Sequence, residues 1–69
     1  MTEVPHWCIR PDGEKWTMET PTGALITCTT STAAIEIATQ QAQKFDGVVM
    51  VMDALGLVRE AEDFSRDAL

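Results

Sequence analysis

The chain has 69 residues, 45 % of them hydrophobic, and a formal net charge of −6 from eleven acidic and five basic residues. That length holds one small domain and no second one, and the acid excess argues against a nucleic-acid interface, which needs a basic stripe to neutralise phosphates; Arg10, Lys15, Lys44, Arg59 and Arg66 are scattered instead. No apolar run approaches the roughly 20 residues of a membrane span, and the opening "MTEVPH" lacks the charged and apolar regions of a secretory signal, so a cytoplasmic location is expected, with Cys8 and Cys28 as free thiols.

Proline and glycine mark off the elements. "HWCIR" (6–10) and "KWTME" (15–19) read as strands around Pro11-Asp12-Gly13, a turn signal in which proline presets φ and glycine supplies a positive φ. A three-residue turn would leave Trp7 and Ile9 facing away from Trp16. A four-residue turn, Pro11 to Glu14, sets Trp16 opposite Ile9 and Trp7 opposite Met18, and gathers the bulky groups on one face; that register is preferred. His6, Cys8, Lys15, Thr17 and Glu19 then point the other way. Pro21-Thr22-Gly23 predicts a three-residue turn into "ALITCTT" (24–30), with Ile26 opposite Met18 and Cys28 opposite Trp16. The inner face of this meander is Trp7, Ile9, Trp16, Met18, Ile26 and Cys28. Cys8 lies on the other face, which excludes a Cys8–Cys28 disulfide.

Thr30 or Ser31 can cap the helix that follows, by accepting a bond from a free amide of the first turn. Ala34, Ile35, Ala38, Ala42 and Phe45 recur at helical spacing and form one stripe, widened by Ile37. Glu36, Thr39, Gln40 and Gln43 form the wet side, and Gly47 suits the left-handed residue after the helix end. "VVMVM" (48–52) has no polar residue, so a strand here is apolar on both faces. "DALG" reads as a turn, "LVREAEDF" (57–64) as a last, more polar strand whose register stays open, and "SRDAL" (65–69) as a frayed tail. The ordered core is expected over about 5–64.

The chemistry-bearing side chains do not converge. His6 and Cys8 are two apart on one strand, yet structural zinc needs four ligands, and Cys28 falls on the opposite face. A Cys8 nucleophile with His6 as base needs a third, orienting group in a concave pocket, and a sheet with one helix offers little depth. Glu60 and Glu62 read as a solvated strand edge. Trp7 and Trp16 could stack on bases, but their face is required to receive the helix. No catalytic residue, metal site or cofactor is expected, and the protein is read as a non-enzyme.

The order of signals resembles a family of small bacterial proteins, the DUF2188 family, whose members share a short strand ending in Pro, a Trp-centred strand, a Thr-capped Ala-rich helix, a Val-rich strand and a final basic turn and strand. The matching residues are "CIRPDGEKWTME", "TSTAAIEIA", "VVMVM" and "GLVREAEDFSRD". The chain departs from the family at Ala33, where a capping-box Glu is usual, and at Leu57, where a basic residue is common. The resemblance implies a fold pattern and no activity.

The fold expected is α+β: an antiparallel sheet with one helix packed on one face, in the order β-β-β-α-β-β. A domain of this size has a thin margin of stability. One helix covers one sheet face, and the chain supplies no second layer. The second apolar face of Val49, Met50, Val51 and Met52 is therefore expected to meet another copy. This gives a small protein-interaction module, a homodimer with a further, unidentified protein partner. The competing expectation is an acidic inhibitor or nucleic-acid mimic, phage-related in kind, that blocks a basic site on a protein target.

Overall fold

The computed structural model describes residues 4–64. Five strands and one helix follow in the order β1 (His6–Asp12), β2 (Lys15–Glu19), β3 (Leu25–Cys28), α1 (Ser31–Phe45), β4 (Val48–Met52) and β5 (Val58–Asp63). They form one α+β domain whose sheet order is β3-β2-β1-β4-β5. The expected tail at residues 65–69 lies outside the described residues.

The sheet is mixed rather than wholly antiparallel. The meander β1-β2-β3 and the hairpin β4-β5 are antiparallel, but β4 runs parallel to β1. The cause is the helix. β3 runs in the direction of β1, α1 carries the chain back across the sheet, and β4 therefore starts out in the direction of β3. It lands on the free edge of β1 and makes the first strand of the chain the middle strand of the sheet.

The first hairpin corrects the expected register by two residues. Ile9 pairs with Met18, Pro11 with Trp16 and Asp12 with Lys15, so the turn is Gly13-Glu14 alone. Gly13 has φ 65°, the positive value that a two-residue type II′ turn requires at its first position. Pro11 belongs to β1 rather than to the turn. It sits at a pair that exchanges no ladder hydrogen bonds, so its missing N–H costs nothing toward β2. A slip of two keeps every side chain on its face, and the expected inner face survives the correction. The second hairpin follows the expected register: Trp16 pairs with Cys28 and Met18 with Ile26, and Thr20 N–H donates to Ala24 O across the Pro21–Gly23 loop at 2.9 Å.

The core lies between this face and α1. Trp7, Ile9, Met18, Cys28, Ala34, Ala38, Ala42 and Val49 are buried, with Trp16, Ile26, Ile35 and Val51 packed against them. Three alanines spaced four apart bring the helix backbone close to the sheet, and Ile9 and Met18 fill the space between. Thr30 caps the helix, its Oγ1 accepting from Ala33 N–H at 3.1 Å. Two expectations for the helix are corrected. Ile37 does not widen the stripe but is exposed, because a stripe of alanines is narrow and turns it toward water. Phe45 is 59 % exposed and stacks its ring against the edge of the core at Trp7, with centroids 6.5 Å apart.

The helix end also differs from expectation. The left-handed residue is Asp46, at φ 55° and ψ 46°, whose N–H returns to Ala42 O. Gly47 is needed for a different reason: a Cβ there would collide with the Trp7 ring and lie 2.7 Å from Pro5 O. Beyond β4, one side chain organises the last turn. Asp53 Oδ1 accepts from Leu55 N–H at 2.9 Å and from Leu57 N–H at 3.0 Å, an Asx-type arrangement that mimics a backbone turn.

Candidate functional site

Helix α1 lies over β1 to β4 and its backbone does not come close to β5, and no described residue covers the reverse of the sheet. Cross-strand partners share a face, so the reverse face can be read from the registers. One row runs Leu25, Glu19, Cys8, Met50, Ala61. The next includes Thr27, Thr17 and Arg10 on one side and Met52 and Val58 on the other. A third holds His6, Val48 and Asp63. The rows divide the face. Its β4–β5 half is apolar except for Asp63 at one end, with Val48, Met50, Met52, Ala61 and Val58, and Cys8 borders it. Its β2 half is polar.

Of the four residues expected at a self-association surface, Met50 and Met52 stand on this open face and are half-buried. Val49 and Val51 do not. Val49 is buried beneath α1 and Val51 packs against the same core. They are corrected to core residues. Val58 and Ala61 on β5 join the open face in their place. The sequence hid them because β5 carries an extra residue, Arg59, between the pairs Val51–Glu60 and Met52–Val58. This bulge breaks the alternation that would have marked Val58.

The charges on the β1–β2 part of the open face pair locally. Arg10 donates to Glu19 Oε1 at 3.3 Å, and Thr17 Oγ1 donates to Asp12 Oδ2 at 3.3 Å beside Lys15. The acids that give the chain its net charge lie mostly elsewhere: Glu60 and Glu62 stand on the helix side of β5, and Glu36 is exposed on α1. Arg10 and Lys15 share the open face, Arg59 sits in the bulge of β5, and Arg66 lies outside the described residues. No basic stripe forms among them.

Cys8 sits in the centre of the face and its thiol is pushed above its ordinary pKa. Partial burial is the largest cause, the Glu19 carboxylate adds to it, and the Arg10 guanidinium opposes it. This is the reverse of what activates a thiol nucleophile. His6 and Cys8 share the face as expected, while Cys28 is on the other side of the sheet; both thiols are free. Among the described residues no group of three or more His, Cys, Asp or Glu side chains is placed to hold a metal ion, and no helix is long and apolar enough to cross a membrane.

Clefts on the helix side include two against α1. The larger, about 420 Å³, runs between the end of α1 and the β2–β3 loop and is walled by Pro5, Trp7, Pro21, Ala24, Gln41 and Phe45. The one polar atom of Trp7 is already taken: its Nε1–H donates to Gln41 Oε1 at 2.8 Å. The sequence reading missed Gln41. The signal available was its place at i+7 from Ala34, on the edge of the buried stripe. Among the described residues its lining is apolar but for Thr20, Thr22 and Gln41. The smaller, about 250 Å³, lies between α1 and β5, with Ile35, Val49 and Val51 as floor and Glu60 and Glu62 as outer wall.

The arrangement offers apolar and paired-charge contacts on the open face. Trp7 and Trp16 face the helix, as the sequence requires, and are not a stacking platform. Compared with known proteins, the chain matches no family model, no curated protein and no solved structure.

Proposed function

We propose that the protein is a non-catalytic interaction module of the cytoplasm that self-associates through the open face of its sheet. One observation carries this reading: the apolar column Val48, Met50, Met52 with Val58 and Ala61 stands on a sheet face that no described residue covers. Contiguous apolar patches of this kind mark interaction surfaces. Two unpaired thiols fit a reducing compartment. The order of strands and the Thr30 cap fit membership of the DUF2188 family, which we propose on that basis. The test is mass in solution. Sedimentation equilibrium from micromolar to near-millimolar protein should show a mass rising from monomer to dimer, and the rise should persist in high salt because the contact is apolar. A monomer at every concentration overturns the reading.

A second reading has an observation of its own. Glu60 and Glu62 project from the exposed edge strand β5 over an apolar floor, which suits a partner segment bearing lysine or arginine, as an acidic inhibitor or nucleic-acid mimic would require. Binding of a basic protein that weakens steeply with salt supports it. Binding unchanged by Glu60→Gln with Glu62→Gln removes it.

A further inference from the structure

Strand β5 ends the sheet, and one bond fixes where its backbone groups point. Phe64 N–H donates to Gly47 O at 2.8 Å, so these residues form a hydrogen-bonded pair. The alternation of an antiparallel ladder makes Val49–Glu62 and Val51–Glu60 the next two such pairs. Val48, of the opposite phase, turns the other way and donates its N–H to Pro5 O at 2.9 Å. Glu60 and Glu62 therefore direct their backbone groups at β4, and the N–H and C=O of Ala61 point off the edge of the sheet. Among the described residues nothing bonds to them, and every residue of β5 is exposed. An edge of this kind takes up an extended segment through main-chain hydrogen bonds.

Side chains restrict what the edge can accept. Glu60 and Glu62 stand on the helix side, over the cleft floored by Ile35, Val49 and Val51, and neither carboxylate forms an ion pair with a described cation. A second copy of β5 does not fit. Antiparallel pairing centred on Ala61 sets Glu60 against Glu62, and pairing centred on either glutamate sets it against itself. Like charges directly opposite one another destabilise a sheet. The other edge strand, β3, has four residues and no charge, so it selects no partner. A strand lying beside β5 presents residues two apart to Glu60 and Glu62, and the residue between them to Ala61. Basic side chains suit the first two positions. Their stems cover the apolar floor of the cleft. An apolar side chain suits the third, where it continues the row of Met50 and Ala61 on the reverse side.

We propose that β5 is a docking edge for an extended basic segment of a partner protein. The segment joins the sheet as a sixth strand, with Lys or Arg opposite Glu60 and Glu62 and an apolar residue opposite Ala61. This rests on the second reading above, in which the acidic side of β5 meets a basic partner, and adds the mode of binding and the pattern recognised. Arg59 lies beyond Glu60, in the bulge that bounds the contact at one end. The paired stretch is therefore short, and binding is reversible and weakened by salt.

The probe is a fluorescein-labelled peptide, Lys-Val-Lys-Val-Lys flanked by threonines, titrated with the whole chain by anisotropy at low salt. A second peptide of the same composition, with its lysines contiguous, should bind more weakly. Ala61→Pro removes the outward N–H and keeps the bonds to β4, because proline is tolerated on an edge strand where its nitrogen faces away from the sheet. With folding checked by circular dichroism, it should weaken binding of the alternating peptide by about tenfold, the effect of a lost hydrogen bond in a short ladder. Should that variant not fold, amide exchange on the wild-type chain gives the second readout: saturating peptide should slow exchange of the Ala61 N–H by about tenfold or more. Failure of both peptides to bind, or binding unchanged by Glu60→Gln with Glu62→Gln, overturns the acidic reading and this inference with it. Binding that the glutamine pair weakens overturns strand addition alone if Ala61→Pro leaves it intact, if the Ala61 amide exchanges as before, or if the two peptides bind equally.

Discussion

Val49 and Met50 are adjacent in β4 and have opposite surroundings. Val49 is 4 % exposed beneath the helix, whereas Met50 looks out on a face with no second layer. An apolar strand announces two greasy faces without saying which is covered. The cover is decided by the width of the helix, about 10 Å, and by what the helix carries. A stripe of three alanines settles close over β1 to β4 and stops short of β5. The helix side of β1 to β4 is therefore held by packing, whereas β5 and the apolar part of the reverse side stay open.

Substitutions on the two faces should behave differently. The largest effect is expected from Val49→Asp, which buries a charge without a partner and should cost about 4 kcal/mol. For so small a domain that is most of its stability, and urea unfolding should show a folded fraction near zero or a midpoint far below wild type. A folded Val49→Asp protein would mean that the two faces are wrongly assigned. Gly47→Ala comes next, since its Cβ meets the Trp7 ring and a backbone carbonyl. Forcing the ring aside should cost about 1–3 kcal/mol, read as a lower unfolding midpoint at an unchanged denaturant slope, and an unchanged midpoint would show that the close approach is not needed. Met50→Asp should cost about 1–2 kcal/mol, as a substitution at a half-buried strand position, while abolishing the concentration-dependent rise in mass. Equal losses of stability from Val49→Asp and Met50→Asp would erase the distinction between the faces.

The smallest effect is kinetic and concerns the thiols. Burial and Glu19 raise the pKa of Cys8, so the folded state holds the thiol proton more tightly than the unfolded chain does. The corresponding stability is complete below the ordinary thiol pKa and is lost as pH rises through the raised one. Iodoacetamide should label Cys8 along a pH profile displaced upward from that of a free cysteine. Glu19→Gln should move the profile down, and Arg10→Ala should move it further up. Cys28, in the core, should label only on unfolding. A Cys8 profile at or below that of free cysteine would contradict the burial assigned to its side of the sheet.

The sequence made the faces legible and the edges obscure. Bulky residues at alternate positions in "HWCIR" and "KWTME" placed Trp7, Ile9, Trp16 and Met18 on one face even though the first register was two residues out, because a shift of two preserves the face. The error came from treating Pro11 as a turn residue; its position at a pair without ladder bonds lets the strand run through it to Asp12. The parallel pairing of β1 with β4 follows from the crossover through α1, yet no local pattern signals it, since it depends on which edge of the meander receives the returning chain. Met50 and Met52 could be named from alternation alone. Val58 could not, because the bulge at Arg59 shifts the phase of its strand, and Gln41 could not, because a glutamine bound to an indole has the same spacing as a solvated one.

The placement of β1 has a consequence for how the molecule comes into being. Its right-hand neighbour in the sheet, β4, is made last but one, after the helix, with Trp7 pairing to Val49 across most of the chain. A nascent polypeptide that has emerged only through Gly47 can already hold the meander and the helix, and it displays one full border of β1 with its amides and carbonyls unmatched. Such a border recruits any extended strand nearby, so the interval between translating the helix and translating Val48–Met52 is when this protein is most exposed to misassembly, and a version truncated there should precipitate rather than merely loosen.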